Sequence, residues 1–299
     1  MKEGGAQPGT SSGALAILGP GVLGLSAAQW AAERGLRVRL LGRDAAHAAR
    51  GLAELARRWD AAVARGRLTP EAHAAAAMRI EGAAFGPEAL SGVEALLEAV
   101  PEDPGAKARV LSAAAAWGAP DLLILTGTSA LPVTGLAQAS GLAGRLLGFH
   151  LFVPVPRMAV VELVVPEGTD GGLVDRAGAL AKALGKRPAR VRDQAGFTAA
   201  RMALAQGLEA IRLLESGAAT AEDLDALMTL GYGHPVGPLE LSDRVGLDLR
   251  LAIAEGLHRA TGDPRFEPPR LLREKVARGE SGLRAGIGFY HWDDAGRRA

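Results

Sequence analysis

A chain of 299 residues with 34 basic and 33 acidic side chains carries a formal net charge of +1, so nothing pulls it at long range toward nucleic acid or an anionic membrane. Its length suits one large or two ordinary domains, and 48% apolar residues suffice for a sizeable core. Cysteine is absent, which excludes disulfides, thiolate metal sites and a cysteine nucleophile. There is no run of about 18 apolar residues. Residues 1–13 form a polar leader, rich in Gly and Ser, without the apolar core of a secretion signal, so a flexible leader on a soluble cytoplasmic protein is expected. Asn is missing too, and Arg far outnumbers Lys; heat adaptation and codon bias both produce such a composition.

The apolar run Ala14–Leu18 leads straight into Gly19-Pro20-Gly21-Val22-Leu23-Gly24. An Ala-rich helical pattern follows, stops at Gly35, and gives way to a second apolar run, Val38–Leu41. Strand, glycine turn, helix and strand at this spacing make a dinucleotide-binding βαβ unit. Gly19 permits the tight turn, Gly21 lets backbone approach a pyrophosphate, and Gly24 lets the helix sit close to the strand. The diphosphate belongs at the helix N-terminus, with Val22 and Leu23 completing the turn that contacts it.

The end of the second strand departs from the usual NAD pattern. A carboxylate is expected about 20 residues past the glycines, to accept from the adenosine ribose hydroxyls. Gly42 stands there instead, followed by Arg43 and Asp44. Without that carboxylate nothing repels a 2′-phosphate, and Arg43 suits one in bidentate fashion. The plainer reading leaves Arg43 solvated and makes Asp44 the cap of the next helix. NAD and NADP both stay open.

A long helical stretch runs from Ala45 to roughly Ala64, with Arg50, Arg57 and Arg58 on it and Arg65 just beyond. Thr69-Pro70-Glu71 reads as cap and first turn of another helix. Strands are expected at Ala95–Val100, Leu122–Thr126, Leu146–Phe152, Val160–Val165 and near Ala189–Val191. Helices fall between them, one carrying Lys107, another near Leu173–Leu184. Alternation of this kind implies an α/β, Rossmann-type doubly wound sheet over residues 14–194. From Gly196 onward the pattern is helical throughout, so residues 195–299 read as a second, all-helical domain.

In an open α/β sheet, ligands collect beyond the carboxyl ends of the strands. The glycine turn, Glu102 with Lys107, Ser129 and His150 all map there. His150 lies in the apolar strand GFHLF, twelve residues before Glu162 in VVELVV. Two strands joined by the Pro154-Val155-Pro156 corner can set that imidazole beside that carboxylate, making a general base. A lone His in an apolar strand is more often a satisfied core residue. A glutamate among valines shifts the balance, because a buried carboxylate needs a partner. For Ser129 and Lys107 in isolation the plain readings are a loop hydroxyl and a solvated helix charge.

The segments ILGPGVLG, EAVPEDPGAK, TSALPVTGLA, GFHLFVPVPRMAVVELV, GYGHPVGPLELSDRVGLD and GIGFY together resemble the short-chain L-3-hydroxyacyl-CoA (3-hydroxybutyryl-CoA) dehydrogenases, from about Ala14 to Tyr290. The resemblance implies NAD-dependent interconversion of 3-hydroxyacyl-CoA and 3-oxoacyl-CoA by a homodimer joined through its helical domains. It makes His150 the catalytic base, Glu162 its orienting partner, and Ser129 a residue near both substrate oxygen and cofactor. It places Glu102 and Lys107 at the nicotinamide half of the cofactor. Arg284 takes the position of a basic residue that approaches the cofactor from the other domain. Arg58 and Arg65 lie on the helix resembling the CoA-contacting one, where guanidinium groups suit phosphates.

The same comparison shows departures. The family's ribose acid is Gly42, and its asparagines at three further positions are Gly127, Val153 and Ala200. An aliphatic group in place of an amide cannot donate to a developing oxyanion, a loss worth about 2.7–4 kcal/mol where such a donor matters. Two other readings follow: a dehydrogenase of another small 3-hydroxy acid, of the gulonate type, or a cofactor- or CoA-binding protein with little catalysis. No metal site, nucleic-acid partner or membrane association is expected.

Overall fold

Strands that are apolar on both faces persist only where helices cover both sides of the sheet. The computed structural model, which describes residues 13–299, has that architecture. In chain order the first unit contains β1 (Ala14–Leu18), α1 (Val22–Glu33), β2 (Val38–Gly42), α2 (Ala45–Ala64), α3 (Pro70–Ala77) and β3 (Ile80–Ala84). It continues with β4 (Val93–Glu98), α4 (Pro104–Trp117), β5 (Leu123–Thr126), α5 (Val133–Ala139), β6 (Leu146–Leu151), β7 (Val160–Val165), α6 (Gly171–Ala183) and β8 (Arg187–Arg192). The eight strands form one sheet in the order β3-β2-β1-β4-β5-β6-β7-β8. Neighbours are parallel except β6 and β7, which run antiparallel with His150 opposite Glu162. This is a doubly wound, Rossmann-type sheet, and its order reverses between β1 and β4, where such sheets open a crevice for ligands.

Small residues let the helices lie close. Ala27, Ala28, Ala31 and Ala32 of α1 are buried against the sheet core of Leu15, Ile17, Leu40, Leu97 and Leu125. On α2, Ala48, Gly51, Leu55 and Trp59 recur at steps of three and four, which puts them on one face. Leu55 is wholly buried, so its truncation to Ala would cost about 2–5 kcal/mol. The Trp59 indole N–H donates to Glu33 Oε1 at 2.7 Å and ties α2 to the end of α1. Asp44 caps α2, accepting from His47 N at 2.6 Å, and Thr69 caps α3. The edge strand β3, IEGAA, was not among the expected strands; Gly82, Ala83 and Ala84 are small and the strand is largely exposed, without an apolar run to mark it.

The chain divides into a unit ending at Gln194 and a second from Ala195 to Ala299. The second is helical: α7 (Ala199–Glu215), α8 (Ala221–Ala226) running into a π-helical turn, α9 (Pro238–Val245), α10 (Leu247–Thr261) and α11 (Arg270–Ala277). Two buried aspartates fasten it. Asp225 accepts from Leu239 N at 2.8 Å, Glu240 N at 2.9 Å and the Tyr290 hydroxyl at 2.9 Å, so it caps α9 from outside. Asp243 accepts from Phe289 N, Tyr290 N and the Trp292 indole, which docks the GFY tail. Among the described residues no helix is long and apolar enough to cross a membrane. The expected leader lies outside the described residues apart from Gly13, whose N–H donates to Glu94 Oε1 at 2.7 Å.

Candidate active site

The glycine turn comes first because it fixes how close backbone can come to a ligand. Gly19 has φ +108°, and a side-chain carbon there would lie 2.6 Å from Ala99 O. One at Gly24 would overlap Gly19 O, so helix and strand touch through backbone. Over Gly21, by contrast, nothing lies within 4 Å of that position. Gly21 caps α1 without any side-chain hydrogen bond, and the first turn holds no acid. The positive end of the α1 dipole and its N–H groups therefore form an open cradle that fits an anionic diphosphate. Val22 is exposed beside it, and Leu23 packs inward toward Gly127.

The neighbouring strand ends carry a buried polar network. Glu98, the last residue of β4, is wholly buried and accepts from Lys107 Nζ at 2.8 Å, Val100 N at 2.6 Å and the Thr126 hydroxyl at 2.7 Å. Lys107 is also buried, with Val100 O at 3.1 Å and Glu102 Oε2 at 3.1 Å as further partners. Three donors thus meet three acceptors. Glu102 turns its other oxygen to the loop after β5, accepting from the Thr128 hydroxyl at 2.5 Å, Ser129 N at 3.0 Å and Ala130 N at 3.2 Å. Burial raises the Glu102 pKa, but the Thr128 hydroxyl, the Lys107 charge and the Ser129 N–H outweigh it and hold the carboxyl below its ordinary range. The chemistry of the set is clear: Lys107 holds Glu102, and Glu102 holds Ser129, whose side chain is exposed.

One strand further on, His150 Nδ1 lies 3.0 Å from Glu162 Oε2, both side chains being largely buried. A proton on that contact leaves Nε2 as the basic nitrogen, and the carboxylate stabilises the imidazolium once it forms. The loop that follows is anchored on both sides. Val155 N donates to Ser26 Oγ of α1 at 3.2 Å, and the buried Lys186 ammonium donates to the carbonyls of Val155 and Met158 while lying 4.5 Å from the Trp30 ring centroid. Burial and the charge of Arg34 lower the Lys186 pKa.

The structure therefore sets the glycine turn, Glu102, Lys107, Ser129 and His150 at or just beyond the ends of the neighbouring strands β1, β4, β5 and β6, with Glu162 on β7 opposite His150. The remaining basic residues lie on other elements. Arg43 is exposed at the end of β2. Arg58 pairs with Glu54 at 2.9 Å on α2, and Arg65, two turns on, is exposed on the same face. Arg284 belongs to the helical unit and makes two contacts with Asp248, at 2.8 and 3.0 Å. Sequence reasoning missed Glu98, Thr126, Thr128, Ser26 and Lys186. Glu98 carried a signal, a glutamate closing an apolar run, as Glu162 did within its own. Among the described residues no three His, Asp or Glu side chains converge as metal ligands.

Residues 14–194 match the sequence profile of the 3-hydroxyacyl-CoA dehydrogenase NAD binding domain, and residues 196–292 match that of the 3-hydroxyacyl-CoA dehydrogenase C-terminal domain. The chain belongs to the 3-hydroxyacyl-CoA dehydrogenase family. It is 32% identical over 280 residues to a probable 3-hydroxybutyryl-CoA dehydrogenase of Bacillus subtilis, covering 94% of this chain and 97% of that one. A 3-hydroxybutyryl-CoA dehydrogenase of Mycobacterium tuberculosis is 33% identical over 278 residues, covering 92% and 97%. The crystal structure of (S)-3-hydroxybutyryl-CoA dehydrogenase from Ralstonia eutropha superposes with a TM-score of 0.87 at 34% identity, covering 94% of this chain and 99% of that one. An NAD-dependent oxidoreductase of this family is what the open glycine cradle and the His–Glu pair suit.

Proposed function

We propose that this chain interconverts 3-hydroxyacyl-CoA and 3-oxoacyl-CoA, as a cytoplasmic homodimer. The observation that carries the reading is the His150–Glu162 contact of 3.0 Å at the end of β6, beside strand ends that present Ser129 and the glycine cradle. Gly19, Gly21, Val22, Leu23 and Gly24 would hold the dinucleotide diphosphate, with Glu102 toward its nicotinamide half; Lys107, buried with its three donors already engaged, would hold Glu102 in place and not touch the cofactor itself. When bound, the oxidised nicotinamide supplies the acceptor for the hydride that leaves C3. His150 Nε2 removes the 3-hydroxyl proton, Glu162 steadies the resulting imidazolium, and the Ser129 hydroxyl donates to the substrate oxygen. In the reverse direction the imidazolium returns the proton to the 3-oxo oxygen. Arg58 and Arg65 would meet phosphates of the CoA moiety. Exposed large apolar side chains on the helical unit, among them Met202, Leu227, Leu230 and Tyr232, support association between copies of the chain.

A second reading, a cofactor- or CoA-binding protein of low activity, is favoured by Val153, which is 49% exposed at one of the departing asparagine positions. The test is spectrophotometric. Acetoacetyl-CoA with NADH or NADPH should be reduced, and a free 3-oxo acid should not. Turnover of the free acid alone would sink the acyl-CoA assignment, and tight cofactor binding without turnover would favour the second reading.

A further inference from the structure

We propose that the adenosine end of the cofactor site is built for a 2′-phosphate, with Arg43 as its ligand, so that this chain binds NADPH in preference to NADH. The inference rests on the dinucleotide reading above and concerns the end of β2, where the adenosine ribose lies in βαβ units of this kind.

A carboxylate at the last residue of that strand selects NAD by accepting from both ribose hydroxyls and repelling a phosphate. Here that residue is Gly42, and the structure shows why a carboxylate does not fit there. A side-chain carbon at Gly42 would lie 2.5 Å from Ala48 N, 2.8 Å from Asp44 O and 3.0 Å from His47 Cβ. The first turn of α2 is laid directly on the strand end. Only movement of that turn would admit an acid.

What remains at the strand end is cationic. The Arg43 side chain is 76% exposed, and among the described residues its guanidinium has a single partner, Asp44, reached through Nε at 3.4 Å. Both terminal nitrogens of the fork can therefore meet phosphate oxygens in parallel. The one carboxylate nearby is committed to the helix, since Asp44 Oδ1 accepts from His47 N at 2.6 Å. That N–H keeps the Asp44 pKa below its ordinary value; burial opposes it, and Arg43 and Arg50 add smaller lowering effects. Arg50 is itself exposed one turn further along α2. Two guanidinium groups against one carboxylate suit a phosphate dianion and give the uncharged 2′-hydroxyl of NADH no acceptor at residue 42.

Binding of the intact protein to NADPH and NADH is read by energy transfer from tryptophan to the nicotinamide, and binding to 2′,5′-ADP and 5′-AMP by calorimetry. NADPH should bind about tenfold or more tighter than NADH, with 2′,5′-ADP tighter than 5′-AMP, the difference narrowing as salt rises. Arg43→Ala should weaken NADPH and 2′,5′-ADP by about tenfold and leave NADH within about twofold, while Arg43→Lys, which keeps the charge but not the fork, should fall between. Tighter binding of NADH, or equal losses for both dinucleotides in Arg43→Ala, overturns the inference and leaves the dehydrogenase reading standing. If neither dinucleotide binds, both fall together.

Discussion

His150 and Glu162 were legible from the sequence because each interrupts an apolar run, and a polar group in such a run needs a partner within reach. With His150 as the proposed base, His150→Gln should lower turnover by about 10²–10⁴-fold while dinucleotide affinity stays nearly intact; a wild-type rate would remove it from that role. Lys107 was less legible. As a helix residue it reads as a solvated charge, and its partner Glu98 lies nine residues earlier on a different element, a distance no helical or strand period encodes. Its burial makes a sharper prediction. Lys107→Met would leave Glu98 buried without its cation, a loss of about 3–5 kcal/mol that a denaturant titration would measure.

At the scale of elements, runs with a clear period were foreseen closely, as with β1 and α2, whose bounds match the expected ones. Strand β3 was missed because pairing with β2 holds it in place, and its own side chains carry no apolar signature. The contact between β2 and α2 is equally silent in sequence: Gly42 looks like a lost acid until the packing of Ala48 and Asp44 around it is seen. Gly42→Ala should cost about 1–3 kcal/mol by forcing α2 off the strand, seen as a lower urea midpoint with an unchanged slope. In α10 the opposite holds. Arg250 is buried, and among the described residues its Nε has no hydrogen-bond partner while Nη1 donates to Ala203 O at 3.4 Å. Burial pulls its pKa down to about 10. The folded form therefore holds this proton less tightly than the unfolded chain, so the penalty is full below about pH 10 and eases as pH rises through that value. Arg250→Met should stabilise the chain by about 1–4 kcal/mol near neutral pH, measured as a higher melting temperature.

For the whole molecule, surface and sheet carry different lessons. The exposed Leu230 and Tyr232 beside Leu227 are apolar area that a monomer would leave in water. Sedimentation should give twice the 30.7 kDa chain mass, and Leu227→Asp with Leu230→Asp should shift the protein toward that single mass. No spacing in the sequence announces such a patch, because Leu227 and Leu230 sit on the π-helical turn and Tyr232 directly follows it, where the α-helical period does not apply. The sheet's one antiparallel pair has a consequence of its own. Val161, Leu163 and Val164 on either side of Glu162 are all fully buried, so the greasy lettering of β7 reads nearly the same if the strand slides by one place. Such a slide would strand the carboxylate among hydrocarbon, opposite no imidazole. The two side chains proposed for proton transfer thus also act as an index mark, telling β7 where along β6 to stop.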